Sequence, residues 1–249
     1  MKAMSFAPTW YSPDTELVLR LTVSGNIREA LTTGTFGTDI TREMVRSLVT
    51  EEEVNTEEIS ITIGAGATSV VSFAEGLSGT GVFTEYEWWQ QNQPVIIESG
   101  LTFIGNFAFG NFGNNNHPLT IPNTVTELGI GAFYGWYNND QVLTLPSGLT
   151  SIEYYAFDSW NTNTQLLTIP DSVTTIGEFA FANWINNNQI LTIPSSVTTI
   201  SGNAFGSWSN NDQLLTIPDT VTELGDGAFA YWYSNDQLLT ISSGITEIG

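Results

Sequence analysis

Cysteine is absent from the 249 residues, which excludes a disulfide framework and thiolate metal sites. Basic residues are nearly absent: Lys2, Arg20, Arg28, Arg42 and Arg46 are the whole set. From Ser47 to Gly249 there is no Lys or Arg against 21 acids, so the net charge of −21 sits on that stretch. A surface without cations repels phosphate backbones, which argues against nucleic acid. It also argues against docking on anionic membranes. The acidity itself keeps a long exposed array soluble. Divalent-cation binding and steering toward a cationic partner are the alternative readings. No apolar run approaches the roughly 20 residues that a membrane helix needs. The start, Met1 to Pro8, has a lysine but no apolar stretch behind it and does not read as a signal peptide.

Catalytic signals are scarce too. The single histidine, His117, stands in a turn beside Pro118 and reads as an exposed loop residue. There is no metal-ligand cluster, phosphate-binding loop or nucleophile elbow, so no catalytic residue, metal or cofactor is expected. Glu127 and Glu223 occupy repeat positions, and the sequence gives no reason for them to converge on a pocket.

What the chain does have is a block of 24 residues that recurs without insertion. Leu-Thr-Ile-Pro starts at Leu119, Leu167, Leu191 and Leu215, with near-copies at Leu143 and Leu239. A fixed period in this range marks a stacked solenoid. Three parts follow: a non-repeating α+β region over 1–64, a degenerate capping coil over 65–94, and regular coils over 95–249. In the first part, Glu16–Val23 and Ile59–Ile63 read as strands. A helix over about Thr41 to Glu53, capped by Asp39 or Thr41, carries Met44, Val45, Leu48 and Val49 on one side. The run Glu51–Glu53 reads as its solvated end. In the second part, Trp88, Asn92 and Gln93 fall on repeat positions. The last coil stops at Gly249 without its Ala-Phe half. It therefore reads as uncapped, either pairing with another chain or cut short.

Each repeat position has a physical reading. Leu119 and Ile121 point inward while the threonine between them points out. Thr120, Thr144, Thr168, Thr192, Thr216 and Thr240 then form an exposed ladder spaced about 4.8 Å, a candidate binding surface. Pro122, Pro146, Pro170, Pro194 and Pro218 close the strand at its rim. Val125 and Leu128, with their equivalents, form a second apolar pair. Gly129, Gly177 and Gly225, replaced by Ser201 in one coil, read as backbone-turn positions. Ala132-Phe133, Ala156-Phe157, Ala180-Phe181, Ala204-Phe205 and Ala228-Phe229 read as core.

Trp136, Trp160, Trp184, Trp208 and Trp232, with Phe112 one coil earlier, make a second aromatic column. One reading is an exposed strip that stacks on sugars or choline. The other is structural, with indoles covering the solenoid flank and their N–H groups bonded to the next turn. Repetition at one position in every coil favours structure. The turns Asn138-Asn139-Asp140, Asn186-Asn187-Asn188, Asn210-Asn211-Asp212 and Ser234-Asn235-Asp236 suit left-handed backbone and side-chain ladders. Calcium needs more carboxylates per site than these turns supply consistently.

Together these residues resemble the BspA-like leucine-rich repeat. Leu167-Thr-Ile-Pro-Asp-Ser-Val-Thr-Thr-Ile-Gly-Glu-Phe-Ala-Phe181 followed by Trp184 is a near match, and the resemblance covers about 95–249. Two departures stand out: tryptophan replaces the usual cysteine, and the turn is one residue longer. That Trp/Asn variant resembles repeats of bacteriophage and marine viral proteins. The resemblance implies a non-catalytic leucine-rich-repeat β-solenoid used on surfaces, either on a virion or as a bacterial adhesin. It implies partners among virion or surface proteins, reached through the N-terminal region and the last coil, and a host surface protein or glycan. An oligomer fits this picture. A polysaccharide-active solenoid enzyme is the remaining alternative.

Overall fold

The computed structural model describes residues 17–31, 39–40, 42–49, 59–64, 66–67, 69–70, 94–113, 115, 117–140, 142–209, 215–233, 240–241 and 243–249. Trp88, Asn92, Gln93, Glu51–Glu53 and the turns at 210–212 and 234–236 lie outside the described residues. The chain winds as a β-solenoid in which each coil contributes to two parallel ladders and one aromatic side.

The first ladder runs through the Leu-Thr-Ile-Pro positions. β1 (Leu17–Val23) and β2 (Asn26–Leu31) form a hairpin whose turn is Ser24-Gly25, both at positive φ. A two-residue turn of that conformation matches strand twist; the sequence reading missed both it and β2. β1 pairs antiparallel with β4 (Ile59–Ile63), and β4 pairs parallel with β6 (Val95–Ile97). β8 (Leu119–Thr120) pairs with β10 (Leu143–Thr144), and single bridges then join Thr144 to Thr168 and Thr168 to Thr192.

The second ladder starts at β3 (Asp39–Ile40), β5 (Ser69–Val70), β7 (Phe103–Ile104) and β9 (Glu127–Leu128). It continues as a separate sheet of β11 (Ser151–Ile152), β12 (Thr175–Ile176), β13 (Thr199–Ile200), β14 (Glu223–Leu224) and β15 (Glu247–Ile248). Between the ladders, the proline carbonyl accepts the N–H of the valine or leucine three residues on, as in Pro170 to Val173 at 3.0 Å. The proline that cannot donate thus anchors the turn.

Helix α1 (Arg42–Leu48) buries Met44 and Val45, with Val49 just beyond it, so the expected face is the packed one. Asp39 belongs to β3, and the helix ends at Leu48, short of the expected Glu53. The boundary expected between 64 and 65 is crossed by both ladders. Ile61 faces Val95 and Ser69 faces Phe103, each 34 residues apart, so the coil between them is longer than the repeat. Its unequal length hid the register.

The third side carries Ala-Phe. Here the N–H of each core phenylalanine bonds the alanine carbonyl of the following coil: Phe109 to Ala132, Phe133 to Ala156 and Phe157 to Ala180, all at 2.9 Å. The alternate N–H groups bond three residues back, as in Ala156 to Glu153. This alternation needs left-handed backbone at the residue before each Ala and the residue two after each Phe. Phe107 and Asn111, Gly131 and Gly135, Tyr155 and Ser159, Phe179 and Asn183, Asn203 and Ser207, and Gly227 and Tyr231 all have positive φ.

The expected turn glycines act differently. Gly129, Gly177 and Gly225 are not left-handed; a Cβ at Gly177 would stand 2.7 Å from the Ile152 carbonyl oxygen. They permit close approach of successive coils. Glu153 as well as Ser201 replaces glycine there.

The core is columnar. Phe109, Phe133, Phe157, Phe181, Phe205 and Phe229 stack with centroids 5.4–5.6 Å apart and planes within 10°. Because the coil rise is about 4.8 Å, the rings are slipped, the arrangement aromatic quadrupoles favour.

Candidate functional surface

Five charge-free columns of side chains define the regular coils, and they separate into buried and exposed sets. Trp136, Trp160, Trp184 and Trp208 are fully buried, and Trp232 is partly so. Their rings stack at 5.3–5.7 Å, with Phe112 opening the column, and each meets its coil's phenylalanine edge-on. Each indole N–H donates to a phenylalanine carbonyl 27 residues earlier, at 2.6–2.8 Å. Four of these rings have no open face for a sugar or choline, so the ligand-strip reading fails there on geometry. The structural reading needs two corrections. The ring lies in the core rather than on the flank, and its bond reaches back to the preceding coil.

A second buried column is polar. Asn115, Asn139, Asn163 and Asn187 are fully buried. Asn115, Asn163 and Asn187 each accept the N–H two residues on, at 2.9–3.0 Å, and Asn187 Nδ2 also donates to the Gln165 carbonyl of the preceding coil. The middle residue of the turn is therefore the buried one, while Asn186 Nδ2 bonds the Asn161 carbonyl of the preceding coil from the surface. Asn187→Ala is expected to cost about 2 kcal/mol, since it orphans a buried donor and acceptor. Urea unfolding checks it; Asn186→Ala, which removes the exposed bond from Asn186 Nδ2 to the Asn161 carbonyl, is the comparison and should cost about 0.5 kcal/mol. Beside the ladder, Asp140 Oδ1 accepts from the N–H and hydroxyl of Thr164 and from Gln165, so that oxygen ties two coils together.

The exposed set includes the predicted ladder: Thr120, Thr144, Thr168, Thr192, Thr216 and Thr240 all face solvent. Ile96 stands at the same position one coil earlier. Two residues before the threonines, and therefore on the same face, Val142, Leu166 and Ile190 are 56%, 55% and 60% exposed. Two residues after come the prolines. These are buried (Pro146, Pro194) or half-buried (Pro122, Pro170, Pro218), so the exposed face is aliphatic and threonine, without a charge, on a protein of net charge −21. The sequence reading missed the aliphatic column, although its two-residue spacing from Thr was the available signal.

A second exposed threonine column went unassigned: Thr102, Thr126, Thr150, Thr174, Thr198, Thr222 and Thr246. The hydroxyls of Thr174, Thr198, Thr222 and Thr246 donate to the carbonyl 24 residues earlier at 3.1–3.4 Å. These threonines clip coils together. The hydroxyls of Thr144, Thr168 and Thr192 make no bond to the protein among the described residues, so their hydrogen-bonding capacity faces outward.

Carboxylates need one correction. Glu223, Asp226 and Glu247 border one concavity of about 330 Å³, because Glu223 and Glu247 are ladder neighbours. Glu127 instead faces Phe103 across its ladder. Elsewhere, Asp158 is buried, and burial pushes its carboxyl up to about 6 against hydrogen bonds from Asn183 (2.8 Å) and Ser159 (3.3 Å). His117 is half-buried, with its backbone N–H held by Asn115. Among the described residues, no group of three His, Asp or Glu could hold a metal ion, and no helix is long and apolar enough to cross a membrane.

Two parallel ladders, slipped aromatic columns and a buried asparagine column define a leucine-rich-repeat solenoid. The profile of the BspA type leucine-rich repeat region matches residues 86–183 and 159–249 in six copies, and the chain belongs to that family. Its fold is similar to that of a leucine-rich repeat protein from Bacteroides ovatus, at 18% identity, TM-score 0.52, and coverage of 76% of this chain and 54% of the other. A leucine-rich cell surface protein from Faecalibacterium prausnitzii matches at 19% identity and TM-score 0.38, covering 74% and 60%. The pneumococcal vaccine antigen PcpA matches at 19% and 0.39, covering 76% and 55%. The chain therefore spans 54–60% of the length of these proteins. Among curated proteins, none matches its sequence.

Proposed function

We propose that this is a non-catalytic recognition protein displayed on a surface, whose contact face is the uncharged sheet carrying Thr144, Thr168 and Thr192. The observation that carries this is the outward pairing of threonine hydroxyls, unbonded among the described residues, with the exposed Val142, Leu166 and Ile190 column. Water-exposed aliphatic stripes of this kind are typical of interaction sites. The acidic remainder of the surface keeps the molecule soluble and orients that one face toward a partner. The surface is that of a virion, supported by the likeness of the Trp/Asn coils to phage and marine viral repeats. The N-terminal hairpin, which continues the first ladder and carries Arg20 and Arg28, is the anchoring end.

Mass spectrometry of purified particles tests the location. Stoichiometric recovery is expected. Recovery only from a bacterial envelope fraction would replace the virion with a cell-surface adhesin. The face is tested by Leu166→Lys and Thr168→Lys together. Binding to the purified particle or host-cell fraction should fall at least about tenfold, with melting moved by no more than about 2 °C, as for exposed positions. The concavity of Glu223, Asp226 and Glu247 favours one further reading, a polysaccharide-active enzyme. Release of reducing sugar that stops in Glu223→Gln would establish it.

A further inference from the structure

The repeat is broken at one surface position in the coil of Trp232, and two residues on stands Tyr233, at a position that Tyr137 also fills four coils earlier. The residue two after each core phenylalanine is left-handed in every coil, and five coils place Asn111, Gly135, Ser159, Asn183 or Ser207 there. Such small or amide side chains tolerate that backbone. The sixth coil places Tyr231 there, at φ 67°. A bulky ring at positive φ is strained; Phe107, Tyr155 and Phe179 carry the same strain before the alanines, but there the rings are at least half-buried against other rings. The ring does not recover the cost by burial, since Tyr231 is 56% exposed. Two residues on, Tyr233 is 76% exposed, although solvent-facing aromatic rings stabilise a fold little. The two rings lie 5.6 Å apart, tilted by 58°.

They wall one end of a cleft of about 380 Å³ whose other lining residues are Asn183, Ile185, Ser207 and Ser209. The cleft therefore spans three successive coils. Its size falls within the range of small-ligand sites, at the lower end. Among the described residues its chemistry is two tyrosine rings, one aliphatic side chain, two hydroxyls and one amide, with no charge. Asn183 is already oriented, because its Nδ2 donates to Asp158 at 2.8 Å.

We propose that this cleft binds a neutral sugar residue. The tyrosine rings cover the C–H face of the pyranose, and Ser207, Ser209 and Asn183 meet its hydroxyls. No carboxylate is among the described lining residues, which disfavours a cationic ligand. The acidic surface disfavours uronic and sialic acids. The cleft shares no residue with the strand face, so the two sites can fail independently.

Saturation-transfer NMR and calorimetry on the full chain, with methyl glucoside, galactoside and mannoside, N-acetylglucosamine and their trimers, provide the test. At least one neutral sugar is expected to bind. Tyr231→Gly and Tyr233→Ser, which install residues found at these positions in other coils, should each weaken it tenfold or more. Tyr231→Gly should at the same time raise the melting temperature, because it relieves the left-handed strain; a structural ring would lower it. Absence of binding by every sugar, equal binding by both variants, or preference for choline or sialic acid would overturn the proposal. Such a failure with strand-face binding intact would leave the recognition function standing.

Discussion

Trp184→Ala is expected to destabilise the protein by about 4 kcal/mol, the usual cost of emptying a fully buried large aromatic site. Trp184 lies between Trp160 and Trp208 at 5.7 and 5.6 Å, nearly parallel to both, and meets Phe181 at 84°. Its N–H donates to the Phe157 carbonyl at 2.7 Å. Alanine removes both stacks and leaves that carbonyl without its donor. The damage propagates in a particular way, because each coil is stabilised by its neighbours alone. Coils on either side of the gap should uncouple, and urea unfolding followed by near-ultraviolet circular dichroism should broaden into two steps. Trp184→Phe isolates the hydrogen bond. It keeps a ring in the column, as Phe112 does beneath Trp136, and should cost only about 1–2 kcal/mol. A loss below about 2 kcal/mol in the alanine variant, with one sharp transition, would mean that the tryptophan column does not hold the coils together.

The position-by-position period made the strands, the proline rim, the phenylalanine core and the threonine ladder readable in sequence, because each uses one residue type at one place. Features met by different residue types were not readable. The left-handed position before each Ala is filled by Phe107, Gly131, Tyr155, Phe179, Asn203 and Gly227, which share no chemistry visible in a column. What they share is a backbone conformation imposed by inter-coil hydrogen bonding. Gly177 was misread because a missing side chain serves a turn and a close approach equally well; only the 2.7 Å that a Cβ would leave to Ile152 decides between them. The second threonine column was visible, but its role depends on carbonyls 24 residues away in sequence and adjacent in space. On the candidate face, alternation identified Thr144 and Thr168 as outward, while Val142, Leu166 and Ile190 looked like ordinary variation. The tyrosine cleft requires both kinds of information: the sequence shows that Tyr231 is an exception, and the backbone shows that it is strained.

Asp158→Asn is expected to stabilise the protein at pH 7 by about 3 kcal/mol, and to have little effect below about pH 4. Asp158 is buried on the aromatic side, at a position where other coils carry Gly110, Tyr134, Ala182, Gly206 and Ala230. Burial pushes its carboxyl from 3.8 to about 6, only partly offset by Asn183 and Ser159. The direction of the effect follows. Below the unfolded value the carboxyl is protonated in both states and its burial costs little. As pH rises from about 4 to 6, the unfolded chain releases the proton while the folded chain retains it, so stability falls through that window. Above it, the folded state carries a buried anion, and the penalty is constant. Asparagine keeps an acceptor for the Asn183 and Ser159 donors without acquiring charge. The whole chain, with 26 acids, also gains stability as pH falls, because self-repulsion weakens. The informative quantity is therefore the difference between wild type and variant, in which that common contribution cancels. Thermal melts of both proteins at pH 4, 5, 6 and 7 should converge at the acid end and separate through pH 5 to 6. A constant difference across the series would show that the Asp158 carboxyl ionises at its ordinary value, and that the bonds from Asn183 and Ser159 already balance its burial.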